Sequence, residues 1–245
     1  MKDIHLEMWS IKEEAEVNYE HALEMTEKAG YQGIEFSSFR ANIPAIEMKE
    51  LVKKYHLKTV GIHVDLNGLK NNLDAELDYA KKVGYNMIIC PWSDCKTKEG
   101  IINTAKFLES CAQKTAKEGV LLGYHNHDQE FNKFDGKYAM DILLENMPTV
   151  KFQPDVFWIA YAGVDPLTYL KPLAEVHRIC SVHTKELAKV GKDNVYVGQG
   201  KIDFASLAKL MPPEKYPYII EQEEYTTDHF DGICQSYNGL RKVFS

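Results

Sequence analysis

Eight ionisable side chains stand where short apolar runs of this sequence end: Glu35, His63, His125, His127, Asp155, His183, Lys185 and Glu221. Histidine and the carboxylates supply nitrogen and oxygen ligands to divalent cations, and they also move protons near neutral pH. The last four runs each finish on such a ligand: His125 or His127, then Asp155, His183 and Glu221. This mixed imidazole and carboxylate set suits a divalent ion such as Mn²⁺, Mg²⁺, Co²⁺ or Zn²⁺, and its lack of thiolates argues against a structural zinc. Taken singly, each residue has a plainer reading, because a strand-end histidine often bonds nearby backbone and a strand-end aspartate often caps the next helix. Recurrence at four successive run ends favours the metal.

The runs are IHLEM from Ile4, GIEF from Gly33, KTVGIHV from Lys58, NMIICPW from Asn86, VLLGYHN from Val120, VKFQPD from Val150, ICSVHTK from Ile179 and YPYIIEQ from Tyr216. Amphipathic stretches rich in Lys and Glu separate them, such as Glu13 to Ala29, Ile46 to Tyr55, Asp74 to Val83 and Ile102 to Lys117. Strand and helix patterns in alternation predict α/β architecture, and eight repeats in 245 residues predict a (β/α)₈ TIM barrel forming a single domain over 1–245. Active sites of that fold are built at the C-terminal strand ends, where the eight residues lie. Punctuation agrees: Asp165-Pro166 and Asp203 open helices, while Gly30, Gly84 and Gly119 close them. A doubly wound sheet would carry a glycine-rich turn after its first strand, and here that turn reads MWSIKEE.

Lys and Arg total 29 against 36 Asp and Glu, a net charge of −7, which argues against the clustered basic surface that nucleic acid requires and in favour of a small sugar or polyol partner. The five cysteines are scattered with no Cys-x-x-Cys pair and read as reduced thiols. No apolar run has the length of a signal region or a membrane span, so the expected location is cytoplasmic, with no membrane partner.

Beyond the strand ends, the sequence resembles the xylose isomerase-like barrels, which include sugar phosphate isomerases and epimerases, ketose 3-epimerases, inosose dehydratases and endonuclease IV. The resemblance spans nearly the whole chain and rests on GYQGIEF around Glu35, GYHNHDQEF from Gly123, PDVFWIAYAGVDP from Pro154, VHTKE from Val182, VGQGKIDF from Val197 and the final IIEQE. It implies metal ligation by Asp155, His183 and Glu221. Ketose epimerases of the family carry a catalytic, metal-binding glutamate at the end of strand five, and this sequence has His125 there. His125 then becomes the fourth ligand, and Glu221 alone remains of the two proton-shuttling carboxylates. Glu130 is a candidate replacement and His127 a candidate base, with a mutual pair that merely holds the loop as the alternative.

The resemblance implies an isomerase or epimerase acting on a keto-sugar, polyol or sugar phosphate through an enediolate-type intermediate. The alternatives are a lyase or dehydratase acting on an inosose or 3-keto-glycoside, and a non-catalytic sugar-binding barrel. Glu35 and His63 suit hydrogen bonds to sugar hydroxyls, and Lys185 suits an enolate or another anion. Trp158 is expected as the flat wall of the pocket, and Trp9 and Trp92 as core or rim. The Gly198–Lys201 loop lies where barrels often bind phosphate, but without a second basic anchor a free or glycosidic sugar is preferred. A homodimer is the expected assembly, as in related barrels.

Overall fold

The computed structural model describes residues 2–38, 40 and 42–245. Its eight parallel strands are β1 (Ile4–Glu7), β2 (Gly33–Phe36), β3 (Lys58–His63), β4 (Met87–Cys90), β5 (Leu121–His125), β6 (Lys151–Gln153), β7 (Val182–Thr184) and β8 (Tyr218–Ile220). The sheet runs β6-β5-β4-β3-β2-β1-β8-β7. Closure between β6 and β7 is thin, made by the parallel bridges Phe152–Ile179 and Asp155–His183. Backbone hydrogen bonds from Phe152 N to Arg178 O (2.7 Å) and from His183 N to Pro154 O (2.9 Å) join that seam. The molecule is a nearly closed TIM barrel of one domain, as the eight sequence units predict.

Strands buried on both faces need side chains that tolerate burial throughout, and Ile4, Leu6, Ile34, Phe36, Ile88, Phe152, Val182 and Ile220 are all fully buried. Helices flank the barrel, and their boundaries follow local chemistry. The expected helix from Glu13 to Ala29 is two helices, Lys12–Val17 and Tyr19–Lys28, because Asn18 turns extended and its side chain accepts the His21 N–H (3.1 Å). The helix expected from Ile102 starts earlier, at Lys98, where Thr97 caps it. Gly84 ends the helix Leu73–Val83 at φ +110°, a left-handed conformation open to glycine. Two short antiparallel pairs, Lys133–Phe134 with Lys137–Tyr138 and Glu186–Leu187 with Asn194–Val195, decorate the C-terminal face. Among the described residues no helix is long and apolar enough to cross a membrane.

Candidate metal centre

Strand register brings the ionisable residues together. Glu7 at the end of β1 pairs with Glu35 of β2, and His183 of β7 pairs with Ile219 of β8, one residue short of the Ile220 that precedes Glu221 by one. At the seam, Asp155 bridges His183 directly. One ligand atom from each of His125, Asp155, His183 and Glu221 lies within 4.8 Å of the others, all four residues buried.

The donor set fits a divalent ion. Asp155 Oδ1 accepts the N–H groups of Phe157 (2.8 Å) and Trp158 (3.1 Å), capping the helix Val156–Tyr161. Its Oδ2, like His125 Nδ1, is buried with no hydrogen-bond partner among the described residues. His183 is shared between two carboxylates: Nε2 lies 2.6 Å from Glu35 Oε2, and Nδ1 lies 3.4 Å from Glu221 Oε2. Orphaned buried acceptors beside a histidine whose other nitrogen is anchored are the arrangement that a bound cation completes.

Electrostatics divides the four clustered residues into two pairs. Burial, reinforced by the charges of His183 and His127, holds His125 well below the usual imidazole range. Glu221 is held well below the usual carboxylate range, since Lys185 and His183 outweigh its burial. Burial pushes Asp155 up to about 7. His183 rises to about 9, because its bonds to Glu221 and Glu35 outweigh burial.

Above this centre lies a cavity of about 210 Å³, lined by Trp9, Ser37 and Pro91 and by the ionisable residues Glu7, His63, His125, His127, Glu221 and Glu223. A larger hollow of about 640 Å³ sits at the opposite end around Lys2, Lys58 and Arg241, away from every ligand. His127 faces the cavity with Nδ1 unpartnered among the described residues, and burial lowers it to about 4. His63 also lines the cavity, its Nε2 2.9 Å from Gln153 Oε1 and 3.2 Å from Glu35 Oε2.

Other expected site residues are placed differently. Glu35 is fully buried beneath the cavity, and its oxygens take bonds from Gln153 Nε2 (2.9 and 3.2 Å) as well as from His183. That position orients the histidines and leaves no oxygen for a sugar hydroxyl. Glu130 does not reach the cavity, because Oε1 accepts the Tyr124 hydroxyl (2.6 Å) and Oε2 the His127 backbone N–H (2.8 Å). It anchors the loop, the alternative already open in the sequence. Lys185 is 1% exposed, paired with Glu223, and its ammonium lies over the rings of Phe157 (4.9 Å) and Trp158 (4.7 Å). Trp158 packs on His127 at 5.3 Å outside the cavity lining, and Trp9 lines the cavity instead.

The Gly198–Lys201 loop is also spoken for. The buried Glu186 carboxylate accepts the N–H groups of Leu187 (3.0 Å), Gly198 (3.2 Å) and Ile202 (3.1 Å). A Cβ at Gly200 would collide with Glu186 Oε1 and the Leu187 carbonyl, so the glycine is there to let the loop wrap this carboxylate. Sequence reasoning missed Glu7 and Gln153. The acid ending IHLE carried the same strand-end signal as Glu35, while a neutral Gln inside VKFQPD carried none.

Residues 23–242 match the family model described as xylose isomerase-like TIM barrel. No curated protein matches the sequence. Among solved structures, the chain is similar to a sugar phosphate isomerase/epimerase from Parabacteroides distasonis, with a TM-score of 0.82 and 20% identity over 98% of this chain and 93% of that one. It is also similar to a D-allulose 3-epimerase from Methylomonas sp., with a TM-score of 0.74 and 13% identity over 98% and 97% of the two chains. A third, the IOLI protein with a binding zinc atom, has a TM-score of 0.77 and 15% identity over 98% and 97%.

Proposed function

This chain belongs to the xylose isomerase-like TIM barrel family, and from that premise we propose that it is a divalent-metal-dependent isomerase or epimerase that moves a proton beside the carbonyl of a keto-sugar. The observation that carries the reading is the convergence of His125, Asp155, His183 and Glu221 within 4.8 Å beneath a cavity of monosaccharide size. Two imidazoles with two carboxylates suit Mn²⁺ or Zn²⁺. When bound there, such an ion supplies a Lewis acid that polarises the carbonyl and favours loss of the neighbouring proton.

The protein's own groups do the rest. Glu221, held ionised, lines the cavity and takes the proton from the carbon next to the carbonyl. His127, neutral at physiological pH with Nδ1 free, is the second group able to receive or relay it. His125 keeps the fourth ligand position, so His127 stands in for a second carboxylate. Trp9 offers the apolar wall on which a sugar ring or chain lies, and burial of the ligands excludes water from the reacting atoms.

An unphosphorylated substrate is the better fit. Glu186 already fills the loop that would cradle a phosphate, Lys185 is neutralised by Glu223, and Glu221 and Glu223 make the cavity rim acidic. Incubation with L-ribulose or D-allulose and Mn²⁺ in D₂O tests the reading by NMR. Deuterium is expected to enter at the carbon beside the carbonyl with wild type and not with Asp155→Asn or His183→Ala. Metal-loaded wild type that exchanges no proton across ketoses and inososes sinks the reading.

A further inference from the structure

Three carboxyls share one level of the barrel. Glu7 pairs in register with Glu35, and one step beyond the Leu6–Ile220 pair sets it beside Glu221 on the other side. Its neighbours are engaged: Glu35 by Gln153, His63 and His183, and Glu221 by His183. Glu7 is not. Neither of its oxygens has a hydrogen-bond partner among the described residues, and the residue is 0% exposed. It stands at the floor of the cavity that Trp9, His127 and Glu221 also line.

A buried acid without a partner destabilises the protein that carries it, and a well-packed apolar side chain in its place removes the cost. Such a group persists where something other than the protein satisfies it. We propose that Glu7 is a substrate-recognition residue whose carboxyl meets a hydroxyl of a polyhydroxy ligand, while neighbouring oxygens of that ligand lie toward Glu221. Adjacent strands are separated by roughly 4.8 Å, a span that a short run of hydroxylated carbons bridges from the Glu221 side to Glu7. A hydroxyl both donates and accepts, so it complements either oxygen of the carboxyl. The inference rests on the reading of the cavity as a keto-sugar site, and it gives that site a contact on the β1 side, next to Glu221 and His183.

Glu7→Leu and Glu7→Gln test it with four measurements: thermal melts without ligand, calorimetric titration with Mn²⁺, calorimetric titration with the unreactive pentitol ribitol, and the L-ribulose exchange assay. Glu7→Leu is expected to melt roughly 2–4 °C higher and to bind Mn²⁺ as wild type does. Its affinity for ribitol and its KM for L-ribulose should both worsen about tenfold or more. Glu7→Gln, which keeps a group able to bond a hydroxyl, should hold ribitol affinity within a few-fold of wild type. Unchanged ribitol affinity in Glu7→Leu overturns the proposal. A lower melting temperature in that variant assigns Glu7 a structural role and overturns it too, as does loss of Mn²⁺ binding, which makes Glu7 a ligand. Wild type that exchanges no deuterium defeats the proposed reaction but not this inference, which the ribitol comparison still judges. Wild type that binds neither ribitol nor L-ribulose overturns it.

Discussion

His183 presents one ring nitrogen to Glu35 and the other to Glu221, so its tautomer and its charge both depend on carboxylates from distant parts of the sequence. With Nε2–H donated to Glu35, Nδ1 is left free to bind a cation, the relay that commonly orients metal-bound histidine. Glu35→Gln is therefore expected to weaken Mn²⁺ binding roughly 10–100-fold by calorimetry, and unchanged affinity would show that Glu35 does not orient the ligand. Proton linkage gives a second test. At pH 6 the metal-free protein holds protons on Asp155 (about 7) and His183 (about 9), whereas Glu221 and His125 are already deprotonated. Both groups are shifted upward, so each withdraws stability from the metal-free fold as pH rises: Asp155 from about 4 to about 7, and His183 from about 6.5 to about 9. Metal binding must expel those protons, so affinity should climb from pH 6 to 9, with close to two protons released at pH 6. Calorimetry in buffers of different ionisation enthalpy counts them, and a pH-independent affinity would contradict the assignment. At this scale the four clustered residues were legible because each is an ionisable residue at the end of an apolar run. Glu35 was legible as a site residue but not in its role, since its partner His183 lies 148 residues away.

The segment GYHNHDQEF shows how an element sets its own geometry. β5 ends at His125, and a 3₁₀ turn at Gln129–Phe131 folds Glu130 back onto the strand. There it ties the Tyr124 hydroxyl to the His127 backbone, while Ser93 bonds Tyr124 from the neighbouring loop (2.8 Å). Glu130→Ala leaves a buried hydroxyl and a backbone N–H unpaired and should cost on the order of 1–3 kcal/mol in denaturant unfolding. Mn²⁺ affinity should fall as well, because His125 sits at the base of the released loop. A variant that keeps wild-type stability and loses only catalysis would return Glu130 to the chemistry. Motif spacing placed Glu130 near the site, but a position three residues after His127 did not reveal which way the chain turned. Helices and barrel strands were legible from periodicity and caps. The two-residue antiparallel pairs were not, because they depend on side chains such as Asn194, whose amide bonds the Glu186 carbonyl (3.2 Å).

Across the whole molecule, barrel closure turns sequence order into a ring, so residues from β1 to β8 meet although none of the ligands is adjacent in the chain. The alternation of elements made this ring legible, and with it the end of the barrel at which chemistry collects. What alternation could not convey is the level at which each side chain enters, which register alone fixes. That is why the placement of Glu7 against Glu35, though IHLE showed an acid at the strand end, emerged only from the strand register. Net charge of −7 and an acidic cavity rim suit a cationic cofactor and a neutral sugar in one site. In the proposed site a divalent ion sits among His125, Asp155, His183 and Glu221. Anomalous diffraction at the manganese edge from crystals grown with Mn²⁺ addresses it directly. One strong peak within bonding distance of all four residues, His125 included, is the expected result, whereas a peak elsewhere, or none at this centre, would contradict that placement.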